Sequence, residues 1–138
     1  MTSNETKPFP LFVYGTLRTG QPLENWLTDV TIGVKPASIN GRLYPCYSGK
    51  YPVAKLDEVG LIHGEVRYCR MEQALFDCIH MEKQAGYQME TVRLHDDQGY
   101  ELEEEVAAFH YPYRVPTAHP IRSGDWVEYV ERVSIEWR

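Results

Sequence analysis

The chain has 138 residues, of which 43% are hydrophobic and 25% charged, a composition typical of an ordinary globular domain with one core. Its net charge of −6 and scattered basic residues argue against a nucleic-acid partner, and no apolar run approaches the roughly 18 to 20 residues that span a bilayer. The polar start "MTSNETKPFP" lacks the layout of a signal peptide. We therefore expect one cytoplasmic domain over residues 1–138, with residues 1–9 loosely ordered.

Short strands dominate the first half of the chain. "FPLFVYG" predicts a first strand that is apolar on both faces and therefore buried on both sides. "PLENWLTD", residues 22–29, opens with a proline and carries leucine and tryptophan at helical spacing, which predicts a short helix. The strand-like segments "VTIGVKPASI" and "GRLYPCY" meet at Asn40-Gly41, a dipeptide typical of a hairpin turn, and "KYPVAKL" and "LIHGEVRY" predict two more strands.

The clearest helix covers residues 71–82, where Leu75, Ile79 and Glu82 share one stripe and Gly86 supplies a terminator beyond the end. "YQMETVRLH" and "ELEEEVAAFHYPY" predict two strands joined by a "DDQG" turn, and "PYRVPTAHP" predicts a loop. "SGDWVEYVERVSIEW" is interpreted as a turn and a final strand. Many short strands with one central helix predict an α+β fold with a curled sheet or a small barrel.

The stretch "VYGTLR" ends the first strand without a polar turn. Gly15 can take a positive φ or let a ligand approach the backbone, and the amides of Gly15, Thr16 and Leu17 lose their strand partners if the strand ends there. Such donors can form a concave nest for a carboxylate or a developing oxyanion. The other interpretation is a tight strand-to-loop turn that needs glycine for its geometry, and the residues alone do not decide between the two.

Glu82 is the second candidate because it lies in phase with Leu75 and Ile79 at the end of the helical stripe. An inward carboxyl group is desolvated, which raises its pKa towards the range that is useful for a general base. A partly exposed glutamate at the helix end, without a catalytic role, is the alternative interpretation.

Other side chains form no recognisable catalytic or metal-binding cluster. Cys46, Cys69 and Cys78 include no C-x-x-C pair, and the histidines lack metal-ligand spacing, so no metal or cofactor is predicted. Tyrosine is frequent, with ten residues, and can line a polar pocket or fill a β-rich core and its rim. The tyrosines that cluster along the chain are at positions 44, 47, 51, 111 and 113.

Several segments, in order along the chain, resemble the γ-glutamylcyclotransferase-like superfamily, including its AIG2-like and bacterial members. "FVYGTLRTGQPLENWL" resembles the N-terminal signature, in which a strand runs into a Y-G-T/S-L-R loop. Later segments of the family are resembled by "GRLYPCYSGKYPVA", "IHGEVRYC", "YQMETVRL" and "IRSGDW". The helix that ends in the catalytic glutamate in the family corresponds to "LFDCIHME" here. The resemblance covers roughly residues 10 to 130.

The resemblance implies a small mixed β-barrel with a few flanking helices and a cavity at one end. It implies that Glu82 is the catalytic acid and base in the cyclisation of a γ-glutamyl amine or peptide to 5-oxoproline, a transferase or lyase type of reaction that needs no cofactor. The implied partner is this small-molecule substrate, and no oligomeric state is indicated. The implied substrate-binding residues are Tyr14, Gly15, Thr16, Leu17, Tyr87 and Tyr111.

The helix and the following strand depart from the family pattern. The family helix reads L-D-x-x-E-G, whereas Cys78-Ile79 and Lys83 stand at the corresponding positions here, and Met89 replaces the arginine of Y-x-R-x-x-V. An alternative alignment through Phe76-Asp77 puts His80 at the catalytic position. Two further readings therefore stay open beside the enzyme: a non-catalytic member that binds a small ligand in the same cavity, and an interaction module that only uses the fold.

Overall fold

The computed structural model of the protein describes residues 7–46, 50–114 and 119–136. Of the N-terminal segment that we expected to be loosely ordered, residues 1–6 lie outside this range, whereas Phe9 is already the first residue of a strand. The strands are β1 (Phe9–Val13), β2 (Thr31–Asn40), β3 (Arg42–Pro45), β4 (Pro52–Lys55), β5 (Leu61–Cys69), β6 (Gln88–His95) and β7 (Glu101–His110). The helices are a 3₁₀ turn at Glu24–Trp26, α1 (Gln73–Gln84) and α2 (Trp126–Glu136).

Five strands close into a barrel in the order β1-β5-β2-β6-β7. β1 runs antiparallel to β5 and closes the barrel by parallel pairing with β7, where Leu11 and Phe12 lie opposite Ala107 and Ala108. β3 and β4 form a separate two-stranded sheet. These strands and the flanking helices confirm the predicted α+β fold with a small mixed β-barrel.

Successive side chains of β1 point to opposite faces of the barrel wall, and both sets are buried, as the uniformly apolar sequence predicts. Phe12 belongs to the cluster that includes Ile62 and the α2 residue Trp126. Leu11 and Val13 belong to the opposite cluster, which includes the buried residues of α1. Because each buried side chain of this size contributes about 1.5–3 kcal/mol, the end of β1 is held firmly where the candidate site begins.

The C-terminal segment is a helix, and the predicted final strand was wrong. The carboxylate of Asp125 accepts hydrogen bonds from the backbone amides of Val127 (3.1 Å) and Glu128 (3.2 Å), which caps the first turn of α2. Trp126 and Tyr129 lie at helical spacing, and both pack in the barrel cluster of Phe12. The frequent β-branched and aromatic residues of this segment favoured a strand, but the cap and the helical stripe decide its structure.

Two local predictions in the first half are also corrected. Asn40-Gly41 turns the chain, with φ of +146° at Gly41, but no hairpin forms because β2 pairs with β5 and β3 pairs with β4. Residues 22–29 contain a single 3₁₀ turn, Glu24–Trp26, in place of the predicted helix. In the described part of the chain, no helix is long and apolar enough to cross a membrane.

Candidate active site

The loop after β1 contains three consecutive backbone donors that make no hydrogen bond to any residue the structure describes. Its turn is closed by a hydrogen bond of 3.0 Å from the amide of Arg18 to the carbonyl oxygen of Gly15. Among the described residues, no group accepts a hydrogen bond from the amides of Gly15, Thr16 or Leu17. Since an unsatisfied buried donor is costly and Gly15 and Leu17 are buried, these N–H groups are suited to an anionic ligand atom.

Gly15 is required by close packing, not by its backbone conformation. Its φ lies outside the left-handed region, so the positive φ considered from the sequence is not used. A Cβ atom at this position would lie 2.7 Å from Cγ and 2.8 Å from Cδ of Pro52, the first residue of β4. Only a glycine therefore lets the loop lie directly on the β3–β4 sheet.

Ion pairs and hydrogen bonds anchor the residues that follow the three amides. Arg18 donates a hydrogen bond of 2.8 Å to the Asp125 carboxylate, which also caps α2. The hydroxyl of Thr19 donates to the Glu65 carboxylate at 2.9 Å and accepts from the guanidinium of Arg67 at 3.0 Å. Because these partners lie just before α2 and on β5, the loop conformation depends on distant parts of the chain.

α1 brings Glu82 to the same region of the molecule. Leu75 and Cys78 are fully buried on the inner side of the helix, and Glu82 follows on that side with a half-buried side chain. Burial raises the pKa of Glu82 to about 7, because the ionised form loses hydration. Its place in the last turn of α1, at the negative end of the helix dipole, acts in the same direction. A carboxyl group with this pKa can both accept and return a proton near neutral pH.

The chain reverses after α1 and brings Tyr87 to the barrel. Gly86 has a φ of +102°, and the amide of Tyr87 donates to the carbonyl oxygen of Glu82 at 3.1 Å. The buried hydroxyl of Tyr87 donates a hydrogen bond of 2.7 Å to the carbonyl oxygen of Pro52. Tyr87 therefore joins the end of α1 to the strand that supports Gly15.

Tyr14 lies at the end of β1, and its hydroxyl donates to the carbonyl oxygen of Phe109 at 2.8 Å. Burial is the main cause that raises the pKa of both Tyr14 and Tyr87, and the charge of Glu82 contributes to both shifts. Both phenols therefore stay neutral at physiological pH and act only as hydrogen-bonding groups.

Tyr111 supports the wall of the site from behind. Its ring packs edge-on against the ring of Tyr87 at 5.8 Å between centroids, and it is not among the residues that line the cavity. The ammonium group of Lys55 donates to the carbonyl oxygens of Tyr111 and Tyr113, both at 2.9 Å, which fixes this segment. Of the tyrosines considered from the sequence, the structure thus places Tyr14, Tyr51 and Tyr87 in the cavity wall and Tyr111 behind it.

The loop, Glu82 and the two phenols line one cavity of about 370 Å³, a size typical of small-molecule sites. The groups of its wall are otherwise mostly apolar. Among the residues that the structure describes, no group of three or more His, Cys, Asp or Glu side chains is placed to hold a metal ion. The residues that line the cavity are 12–17, 22–23, 50–52, 81–82, 85, 87 and 109.

The β3–β4 hairpin contributes cavity residues that the sequence did not indicate. Pro52 supports Gly15 and Tyr87, and Lys50 also lines the cavity, but nothing in the local pattern of this segment marks either residue. His80, the alternative candidate on α1, has an exposed side chain and does not line the cavity. Tyr47 of the tyrosine cluster lies outside the described residues.

The structure thus has a closed barrel, and one cavity that is lined by a half-buried carboxyl group and an amide-bearing loop, an arrangement suited to a small molecule. The family model described as "Gamma-glutamyl cyclotransferase, AIG2-like" matches residues 11–128, which include every part of this site. The chain belongs to this γ-glutamylcyclotransferase, AIG2-like family. No curated protein sequence matches the chain.

Solved structures show the same fold. A protein from Pyrococcus horikoshii, described as uncharacterized, is 24% identical over 91% of this chain and 96% of its own, with a TM-score of 0.67. YkqA from Bacillus subtilis is 28% identical over 94% of this chain, which spans 43% of YkqA, with a TM-score of 0.66. An AIG2-like protein from Mus musculus is 18% identical over 81% of this chain and 82% of its own, with a TM-score of 0.60.

Proposed function

We propose that the protein is a γ-glutamylcyclotransferase-type enzyme that converts a γ-glutamyl amine or peptide to 5-oxoproline and releases the free amine. One observation carries the proposal: Glu82, a carboxyl group with a pKa of about 7, lines the same cavity as the backbone amides of Gly15, Thr16 and Leu17, for which no described residue is an acceptor. Family membership supports it.

Glu82 begins the reaction as a base. Its carboxylate takes a proton from the α-ammonium group of the substrate, and the α-amine nitrogen then forms a bond to the γ-carbonyl carbon of the same molecule. Transfer of this proton to Glu82 costs about 3 kcal/mol less than transfer to an ordinary carboxylate, because the two acceptors have pKa values of about 7 and 4.5. The raised pKa of Glu82 therefore makes this first proton transfer less unfavourable.

Collapse of the tetrahedral intermediate breaks the bond between the γ-carbon and the leaving nitrogen. Glu82, now protonated, gives its proton to that nitrogen, so the free amine leaves and the carboxylate is restored. The ring nitrogen still carries two protons, and the restored carboxylate passes one of them to the departing amine, which leaves as an ammonium ion. Because the nucleophile and the carbonyl belong to one molecule, holding the γ-glutamyl chain in a folded conformation supplies much of the rate. The buried wall residues are suited to this positioning.

The three loop amides have two possible uses in this reaction. They can bind the α-carboxylate of the γ-glutamyl group, or they can stabilise the oxyanion that forms on the γ-carbonyl oxygen. Either use requires the loop conformation that Pro52 and Gly15 define by close packing.

The test is incubation of the protein with a panel of γ-glutamyl amino acids and amines, followed by detection of 5-oxoproline. We expect turnover by the wild type and a loss of at least about a hundredfold in Glu82→Gln, since the amide cannot take up the proton. His80→Gln, which changes an exposed residue of the same helix, is the matched control and should keep full activity. Turnover that survives Glu82→Gln would refute the mechanism.

A non-catalytic member that binds a small ligand in the same cavity is the second candidate. It is favoured by the changes around the helix, where Lys83 and Met89 replace the glycine and arginine of the family pattern. Binding of a γ-glutamyl compound without release of 5-oxoproline, with equal affinity in wild type and Glu82→Gln, would select this alternative.

A further inference from the structure

Lys50 is the one cation among the described residues that line the cavity. Apart from Lys50 and Glu82, the wall consists of apolar side chains, tyrosines and the uncharged loop residues Gly15, Thr16 and Leu17. A positive charge on the wall of this cavity, in a chain of net charge −6, indicates a preference for an anionic ligand group near Lys50.

No protein group in the described part of the chain uses the ammonium group of Lys50 in a hydrogen bond or an ion pair. The neighbouring cations differ in this respect, since Arg18 is paired with Asp125 and Lys55 is bound to two carbonyl oxygens. The sequence before it, Tyr-Ser-Gly at positions 47–49, carries no charge. The positive charge of Lys50 is therefore available to a ligand.

Lys50 lies at the outer edge of the cavity. Its side chain is exposed, and the next residue, Tyr51, is 45% exposed, whereas Pro52 is buried beneath Gly15. The groups that would serve the γ-glutamyl half, the loop amides and Glu82, belong to other segments. The leaving amine departs towards solvent, so the rim of the cavity is where its substituents are expected.

We propose that Lys50 binds a carboxylate on the amine half of the substrate, so that the enzyme prefers γ-glutamyl α-amino acids over γ-glutamyl amines that lack a carboxylate. The inference rests on the proposed cyclisation. An ion pair at an exposed rim contributes modestly, so we expect a preference of roughly three- to fivefold in kcat/KM. The preference should shrink as salt is added, because exposed charges are screened.

The test uses γ-glutamylalanine and γ-glutamylethylamine, which differ only in the carboxylate of the leaving amine. The kcat/KM for γ-glutamylalanine divided by that for γ-glutamylethylamine should fall to about one in Lys50→Met. This ratio should drop further in Lys50→Glu and stay at the wild-type value in Lys50→Arg. The kcat/KM for the ethylamide should change less in Lys50→Met than the kcat/KM for γ-glutamylalanine, because only the latter has a carboxylate for Lys50 to bind. Lys83→Met removes the same charge from an exposed residue outside the cavity wall and should leave the ratio at its wild-type value.

The outcomes separate this inference from the proposed function. Equal turnover of both compounds, or a ratio that Lys50→Met does not change, overturns the role of Lys50 and leaves the cyclisation standing. If neither compound yields 5-oxoproline, the cyclisation fails, and calorimetric titration of both compounds decides the role of Lys50. A carboxylate preference in binding that Lys50→Met removes supports the role, whereas equal binding or no binding of the two compounds overturns it.

Discussion

Replacement of Glu82 by glutamine should stabilise the protein at alkaline pH while removing its activity. The folded-state pKa of Glu82, about 7, lies above the ordinary value of 4.5. Below pH 4.5 the carboxyl group is protonated in both folded and unfolded chains, so its titration does not affect stability. Between 4.5 and 7 the unfolded chain ionises first, and stability falls as the pH rises. Above 7 the loss is complete.

The size of this effect follows from the difference between the two pKa values. The difference is 7 − 4.5 = 2.5, and at 1.36 kcal/mol for each unit it corresponds to about 3 kcal/mol of unfolding free energy. Glutamine carries no titrating group, so Glu82→Gln escapes the loss. The difference in unfolding free energy between variant and wild type should therefore grow by about 2 to 3 kcal/mol from pH 4.5 to pH 8.

Urea denaturation of both proteins across this pH range measures the effect. Other titrating groups contribute equally to the two chains, so they cancel in the difference. Glu82→Asp keeps an ionisable carboxyl group and should retain most of the pH dependence of the wild type. Parallel stability curves for wild type and Glu82→Gln would show that the carboxyl group is not desolvated, and the basis for its role as a base would be lost.

Three further predictions follow from the same structure. If the catalytic carboxyl group acts as a base, kcat/KM should rise about tenfold per pH unit below an apparent pKa of about 7, and an apparent value near 4.5 would contradict the burial of that group. Gly15→Ala should reduce activity by more than about tenfold and the free energy of unfolding by about 1–3 kcal/mol, because the new Cβ atom would lie 2.7 Å from the rigid Pro52 ring. Gly33→Ala is the control: its Cβ atom would lie 3.7 Å from the nearest atom, on Tyr68, and it should have little effect in the same assays. Burial alone would raise the pKa of Asp125, but hydrogen bonds from Arg18 and from two backbone amides outweigh burial and lower this pKa. Asp125→Asn should therefore destabilise the protein by about 1 kcal/mol at pH 7, as measured by urea denaturation. The difference in stability should vanish as the pH falls below 3.8, the ordinary pKa of an aspartate.

Local sequence patterns determined the elements that carry the candidate site. The uniformly apolar residues of β1 predict a strand buried on both faces, and the spacing of Leu75, Ile79 and Glu82 predicts a helix with an inward carboxyl group. Both features depend on periodicity within a short window, which is why the sequence alone contains them. The order of the family motifs along the chain added the fold, which the structure confirms.

Local patterns were not sufficient where pairing or packing over long distances decides the structure. Asn40-Gly41 has the residues of a hairpin turn, but β2 pairs with β5 and β3 pairs with β4. No property of the dipeptide specifies these pairings. The segment from Trp126 onward satisfies both a strand pattern and a helical stripe. Its helix is selected by the Asp125 cap and by the room for Trp126 in the barrel cluster.

The candidate site itself belongs to the tertiary structure. The sequence places a glycine and three amides in one loop and Glu82 on a helix more than sixty residues away, but only the barrel brings them to one cavity. The contact of Pro52 with Gly15 and the position of Lys50 depend on the β3–β4 hairpin, which no local pattern assigns to the site. The sequence determines which groups are able to do chemistry, because that is a property of each residue; the fold decides which of them meet, because distance and burial depend on the whole chain.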